Sequence, residues 1–244
     1  MSHLHWHRGR YFTTDCTLQD KKYFIIIFLT VAVVLAILYF GLNPKDFNLT
    51  NNVFWMINRA GIHFNKYGIV YTDATLRLFG TDDRYYKGLS IEIALNPGIS
   101  HNNGFESILV IQNGDDRNPV LLGQWRSYLI VMEGNDYDGS KGLRRVEAED
   151  ALIAQKTRHI AITSGKVGTR LYLDGKLKDS NSHLFLRVPD GPQGAKLMLG
   201  NSPSGRRSWI GEIYGLAIYY RVLSIDEIQS HFEQWSLEQS FFSL

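Results

Sequence analysis

The chain has 244 residues, with 26 Lys+Arg against 24 Asp+Glu for a formal net charge of +2, and 44% of its residues are hydrophobic and 13% aromatic. That composition excludes a wholly disordered or collagen-like chain, and the near balance of charge excludes a dedicated nucleic-acid binder, which needs a concentrated basic face. Its one cysteine, Cys16, excludes an intrachain disulfide framework and a Cys-rich zinc site.

Residues 1–22 form a short polar and aromatic arm. His3, His5 and His7 alternate in it, but a tail offers no second shell to fix imidazole rings on a metal. Trp6, Tyr11 and Phe12 suit a place at the membrane surface or against a partner. The arm leads into Tyr23–Leu42 (YFIIIFLTVAVVLAILYFGL), which carries no charge. Twenty helical residues rise roughly 30 Å, the thickness of a bilayer's hydrocarbon core. Lipid offers the backbone no hydrogen-bond partners, so the segment is expected to be a transmembrane helix. Tyr23, Tyr39 and Phe40 lie near its ends, where interfacial aromatics collect. The competing reading is a cleaved signal peptide. It fits less well, because the run exceeds a usual apolar core and no small-x-small site follows it. Arg8, Arg10, Lys21 and Lys22 precede the helix and only Lys45 and Arg59 follow closely, which favours an inside N-terminus. Asn43-Pro44 ends the helix, and 43–59 reads as a linker.

Beyond it, short β-branched and aromatic runs recur between Gly, Asn and Asp. Strands are expected at Gly68–Thr72, Thr75–Phe79, Leu89–Leu95, Ser107–Gln112, Val120–Gln124, Ser127–Met132, His159–Ser164, Thr169–Leu173, His183–Leu186, Ala195–Leu199 and Gly211–Tyr219. Asp174-Gly175 is a strong hairpin signal. No long amphipathic helix separates the strands, so an antiparallel sandwich or jelly roll is expected. A capping box, Ser224-Ile225-Asp226-Glu227, opens one helix near the C-terminus. Ile225, Ile228, Phe232 and Trp235 form its apolar stripe.

A series of motifs then stands in a telling order: LSIEIALNP (Leu89–Pro97), Gln124-Trp125-Arg126, His159–Thr163, LYLDGK (Leu171–Lys176), LMLGN (Leu197–Asn201), and Trp209–Ile213 leading to LAIYYRVLSIDE (Leu216–Glu227). This series resembles the laminin G-like, concanavalin A-like jelly roll, over residues 60–236, leaving 237–244 as a tail. It is most similar to the laminin G-like domain fused behind bacterial VanZ-like membrane domains, on His63–Thr75, QWRSYLIV, ITSGKVGTRLYLDGKL and LGNSPSGRRSWIGEIYGLAIY. The chain departs from that arrangement in having one apolar helix where the VanZ-like part supplies several. The resemblance implies a bacterial jelly roll moored in the inner membrane, periplasmic or extracellular, whose role is binding.

The same fold hosts glycoside hydrolases, which need two carboxylates at a fixed separation. Glu92 stands alone in its strand, and Glu147-Ala148-Glu149-Asp150 has the wrong spacing and reads as a solvated turn or helix start. With no other catalytic motif, the chain is expected not to be an enzyme. No cofactor is expected. Calcium is the candidate ion that the resemblance implies, and Asp136 and Asp138 around Gly139 are its candidate ligands, with Asp82-Asp83 and Asp115-Asp116 as further acidic loops. Arg206, Arg207 and Trp209 are candidate binding residues, being of the types that dominate interfaces, although a solvated turn and a core Trp explain them equally well. Three roles are open: an accessory subunit of a larger integral-membrane complex, a carbohydrate-binding module, and a divergent glycoside hydrolase.

Overall fold

The computed structural model describes residues 18–42, 51–57, 60–73, 88–99, 104–112, 119–134, 144–188 and 194–242, with side chains from Lys21 to Tyr39 in the first helix and to Leu237 in the second. The arm residues Trp6, Tyr11 and Phe12, the acidic pairs at 82–83 and 115–116, Asp136 and Asp138, the side chain of Phe40 and the expected strand Thr75–Phe79 lie outside them. The chain divides into two compact units, Met1–Asn48 and Leu49–Leu244.

In the first unit, helix α1 runs Leu18–Leu42. It starts before Tyr23 because Leu18-Gln19-Asp20-Lys21-Lys22 contains no helix breaker. Its stretch Lys21–Tyr39 has a mean hydropathy of 2.4 and is long and apolar enough to cross a membrane. Thr30, its most polar member, returns its hydroxyl to the Ile26 carbonyl at 2.9 Å, which satisfies it within the helix.

The second unit is mainly β. Its strands in chain order are β1 (Val53–Trp55), β2 (Ile62–Phe64), β3 (Val70–Tyr71), β4 (Leu89–Pro97), β5 (Phe105–Gln112), β6 (Val120–Trp125), β7 (Tyr128–Glu133), β8 (Arg145–Ala148), β9 (Arg158–Gly165), β10 (Gly168–Leu173), β11 (Lys176–Asn181), β12 (Lys196–Leu199) and β13 (Gly211–Tyr219), followed by helix α2 (Ile225–Phe242). They form two antiparallel sheets, ordered β1-β2-β13-β4-β9-β10-β11 and β3-β12-β5-β6-β7-β8. The last strand lies between the second and the fourth, so this sheet closes only when the early and the late strands of the unit have met.

Alternation sets the inner faces. Leu89, Ile91, Ile93 and Leu95 of β4 point into the core with Ile160, Ile162, Leu171 and Leu173, opposite Leu109, Ile111, Leu122, Leu129 and Val131 of the other sheet. Glu147 stands on β8 and only Glu149-Asp150 form the turn, where they accept hydrogen bonds from Tyr128 and Ser127. His183–Leu186 is not a strand: Leu184 and Leu186 are buried, but the Leu186 N–H donates to the Ser164 hydroxyl at 2.8 Å instead of joining a ladder. β1, β2, β8 and β11 escape the sequence reading because they are short or polar.

Two turns follow their residues closely. Asp174 and Gly175 both have positive φ, 51° and 72°, as a two-residue hairpin between β10 and β11 requires. Gly200 (φ 78°) lies so near Phe64 that a Cβ there would come within 2.1 Å of the ring.

Candidate functional site

The outward residues of the seven-stranded sheet carry the polar chemistry. On β4 these are Ser90, Glu92, Ala94 and Asn96, and register sets His159 beside Ala94 and Ala161 beside Glu92 on β9. On the other flank Glu212 of β13 is paired with Asn96 of β4 and His63 of β2, and Phe54 of β1 with His63. A register shift at Tyr214 interrupts β13 between Ile213 and Gly215.

Helix α2 covers one part of this face. Its capping box is formed, with the Glu227 N–H donating to the Ser224 hydroxyl at 3.2 Å and the Ser224 N–H to Glu227 at 2.8 Å. Ile228 then packs with Ala161, Tyr172 and Leu223. Below the helix, Glu92 is 6% exposed and His159 5%. The Glu92 carboxylate meets His231 Nδ1 of the helix at 2.9 Å, and its other oxygen lies 3.8 Å from His159 Nε2, too far for a hydrogen bond. The Phe232 and Trp235 rings each stand 5.9 Å from that of His159. Burial pushes the His159 pKa down, against the opposing pull of Glu92 and Asp174. Burial also raises the Tyr219 hydroxyl, and the Glu92 carboxylate adds to that rise. Glu92 therefore faces two imidazoles and a phenol, and sits beneath a helix. A glycosidase acid needs a carboxylate partner and an open groove.

The remaining part is partly exposed and is the candidate binding face. Glu212 is its hub. Tyr214 donates its hydroxyl to one carboxylate oxygen at 2.7 Å and Asn96 its amide to the same oxygen at 3.3 Å, while His63 Nδ1 lies 3.3 Å from the other. His63 is held by Asn65 at 3.2 Å and stacks on Phe54, with ring centroids 5.6 Å apart and planes at 12°. Burial, then the Glu212 hydrogen bond, raises the Tyr214 pKa, so its hydroxyl stays a donor at neutral pH. An aromatic ring, an imidazole, a carboxylate, an amide and a phenol thus share one partly exposed face, with apolar and planar polar groups side by side. None of these five was singled out from the sequence, because their convergence depends on the register of β1, β2, β4 and β13.

The Arg206-Arg207-Trp209 group does not form one surface. Trp209 is 0% exposed and its indole N–H donates to Gln124 Oε1 at 2.8 Å, so it is a core residue that presents nothing to a ligand. Arg207 is half-buried over the Phe105 ring with its guanidinium 5.7 Å from the centroid, whereas Arg206 is exposed. Trp125 is half-buried on the outer face of the six-stranded sheet, where Arg126 covers its ring, not in the core between the sheets. Tyr23 and Tyr39 are exposed on α1. Among the described residues no three of His, Cys, Asp and Glu are placed to hold a metal.

The family model described as the concanavalin A-like lectin/glucanases superfamily matches residues 99–229, more than half of the chain. No curated protein matches. Among solved structures, the botulinum neurotoxin serotype D binding domain is similar at 13% identity over 72% of this chain and 42% of that one, with a TM-score of 0.53. The Trypanosoma rangeli sialidase in complex with the inhibitor DANA is similar at 15% identity over 70% and 27%, with a TM-score of 0.52. A carbohydrate-binding module, CBM40 of the Ruminococcus gnavus IT-sialidase, bound to alpha2,3 sialyllactose, matches at 19% identity over 60% and 83%, with a TM-score of 0.49. This chain spans about a quarter of the trypanosomal sialidase and two fifths of the toxin domain. At such identities the likeness is one of fold.

Proposed function

The chain belongs to the concanavalin A-like lectin/glucanases superfamily, and we propose that it is a membrane-anchored, non-catalytic binding domain that takes a glycan on the part of its seven-stranded sheet that α2 leaves open. The observation that carries this is the Glu212 hub, where Tyr214, Asn96 and His63 surround one carboxylate beside the stacked Phe54 ring. Sugars present hydroxyl pairs on one edge and a C–H face on another. Planar amide, carboxylate and imidazole groups match the first, and an aromatic ring the second.

In this reading α1 is an uncleaved anchor with its N-terminus inside and the sandwich outside, so the domain meets envelope or cell-surface glycan. A glycan array probed with the fragment Leu49–Leu244, with and without calcium, tests it. Binding that is lost in Glu212→Ala and Tyr214→Phe supports the face. Binding that survives both substitutions places the ligand elsewhere, and no binding in either condition removes the glycan reading. Dependence on calcium would direct attention to Asp136 and Asp138.

The apolar surface of α1 serves a second reading, in which the chain is an accessory subunit of a larger bacterial membrane complex. α1 is exposed over Lys21–Tyr39 and carries no ionisable group from Phe24 to Leu38, so lipid or neighbouring helices suit its sides equally. Mass spectrometry of what co-migrates after mild-detergent extraction tests this. A lone monomer would count against it.

A further inference from the structure

One edge of the sandwich carries large apolar side chains that the binding face does not use. β1 and β3 are the terminal strands of the two sheets. They are pinned at their starts by a reciprocal pair of hydrogen bonds, Asn51 Nδ2 to the Ile69 carbonyl and the Ile69 N–H to Asn51 Oδ1, both 2.9 Å. Along this edge Trp55 is 68% exposed, Ile57 86% and Tyr71 61%. Tyr67 is exposed nearby, with the Lys66 ammonium 5.1 Å from its ring centroid. Edge strands of soluble domains usually carry charge or proline, which blunts unwanted pairing. Among the described residues this edge carries Trp55, Ile57 and Tyr71 with Lys66 nearby and Asp73 just past the end of β3, a mixture of large apolar, aromatic and charged side chains that collects where hydrocarbon meets headgroups.

The tether says which surface lies within reach. Residues 43–52, ten in all, separate the end of α1 at Leu42 from β1 at Val53. Fully extended, ten residues span at most about 36 Å. The chain that comes from the apolar segment thus enters the domain at this edge, where Asn51 bonds Ile69.

We infer that the β1–β3 edge, through Trp55, Ile57 and Tyr71, rests in the interfacial layer of the bilayer that anchors the chain. The inference rests on the anchor reading of α1. It adds a second, non-covalent contact that fixes which edge of the sandwich faces lipid and leaves the sheet face carrying Glu212 turned sideways to the membrane. Lys66 would sit among phosphates.

The full-length chain, with Cys16→Ser as background, is reconstituted into vesicles of phosphatidylcholine and phosphatidylglycerol. It carries a nitroxide at one introduced cysteine: Trp55→Cys, Tyr71→Cys, Leu29→Cys within α1, or Val167→Cys. Val167 is a comparably exposed apolar residue in the turn after β9, four strand spacings from β1, about 19 Å. Accessibility to oxygen, which enters lipid, is compared with accessibility to a neutral nickel chelate, which stays in water. The expected oxygen-to-nickel ratio is severalfold higher at 55 and 71 than at 167. A lipid-like value at Leu29 with water-like values at both 55 and 71 overturns the edge contact and leaves the anchor standing. A water-like value at Leu29 overturns the anchor and the inference with it. Shielding from both reagents at 55 and 71 shows a protein contact in place of lipid and overturns the inference as well.

Discussion

Replacing Trp209 by phenylalanine separates a structural tryptophan from a ligand-binding one. The indole is fully buried, its ring centroid 6.1 Å from that of Phe64, and its edge so near Gly211 that a Cβ there would come within 2.4 Å. Its N–H donates to Gln124 Oε1 at 2.8 Å. Gln124 cannot turn that oxygen elsewhere at no cost, because its amide nitrogen already donates to the carbonyls of Ile99 and Arg126 at 2.7 and 2.8 Å. Phenylalanine leaves a buried acceptor unpaired, which costs about 2 kcal/mol. The smaller ring forfeits packing worth about 1 kcal/mol more. The sum, about 3 kcal/mol, is a large part of a domain's stability. Urea unfolding of Leu49–Leu244, followed by circular dichroism, should show the midpoint falling by about 1 M for a slope of about 3 kcal/mol/M. Glycan binding by the folded fraction should be unchanged. A midpoint within about 0.2 M of the parent, together with lost binding, would refute the core assignment.

Gly200→Ala forces an L-residue into a left-handed turn against the fully buried Phe64 ring, and should lose about 3 kcal/mol in the same assay, from backbone strain and overpacking together. His159 has its pKa lowered chiefly by burial, so the native state takes up its proton less readily than the unfolded chain. The stability this provides is complete above the ordinary imidazole range and falls as pH drops below about 6.5. The urea midpoint should therefore decrease between about pH 7.5 and 5.5, and His159→Gln should flatten that dependence. Ser224→Ala removes the cap of α2 and should cost about 1 kcal/mol, read as a lower midpoint. Glu227 is drawn down to about 2 by Arg221 first and by the Ser224 backbone next. Its support of α2 is present above the ordinary carboxylate range and fades as pH falls toward 2, so helical signal should hold at pH 4 and fray below it.

The sequence exposed most of the framework and little of the site. β4 and β9 were legible because strong apolar runs fill the centre of the sheet. The Asp174-Gly175 hairpin and the Ser224–Glu227 box were legible because each is a local motif whose chemistry is complete within four residues. β5, β6 and β7 read as apolar runs without clear alternation because Val110, Leu121, Ile130 and Met132 are buried on the outer face of their sheet as well. β1 and β2 were missed inside and just beyond the expected linker, since three-residue strands give no period to count. With them went His63 and Phe54, and Glu212 could not be recognised as a hub until the register set it between His63 and Asn96. Trp209 stays open between two readings in the sequence, since tryptophan beside two arginines looks alike in a core turn and in an interface, and its full burial decides for the core.

The most direct test of the whole account is calorimetric titration of Leu49–Leu244 with the best glycan from the array, comparing the parent with Glu212→Ala and with Arg206→Ala. The account predicts saturable heat for the parent and Arg206→Ala and none for a folded Glu212→Ala. Undiminished heat from Glu212→Ala, or glycan cleaved during the titration, would contradict it.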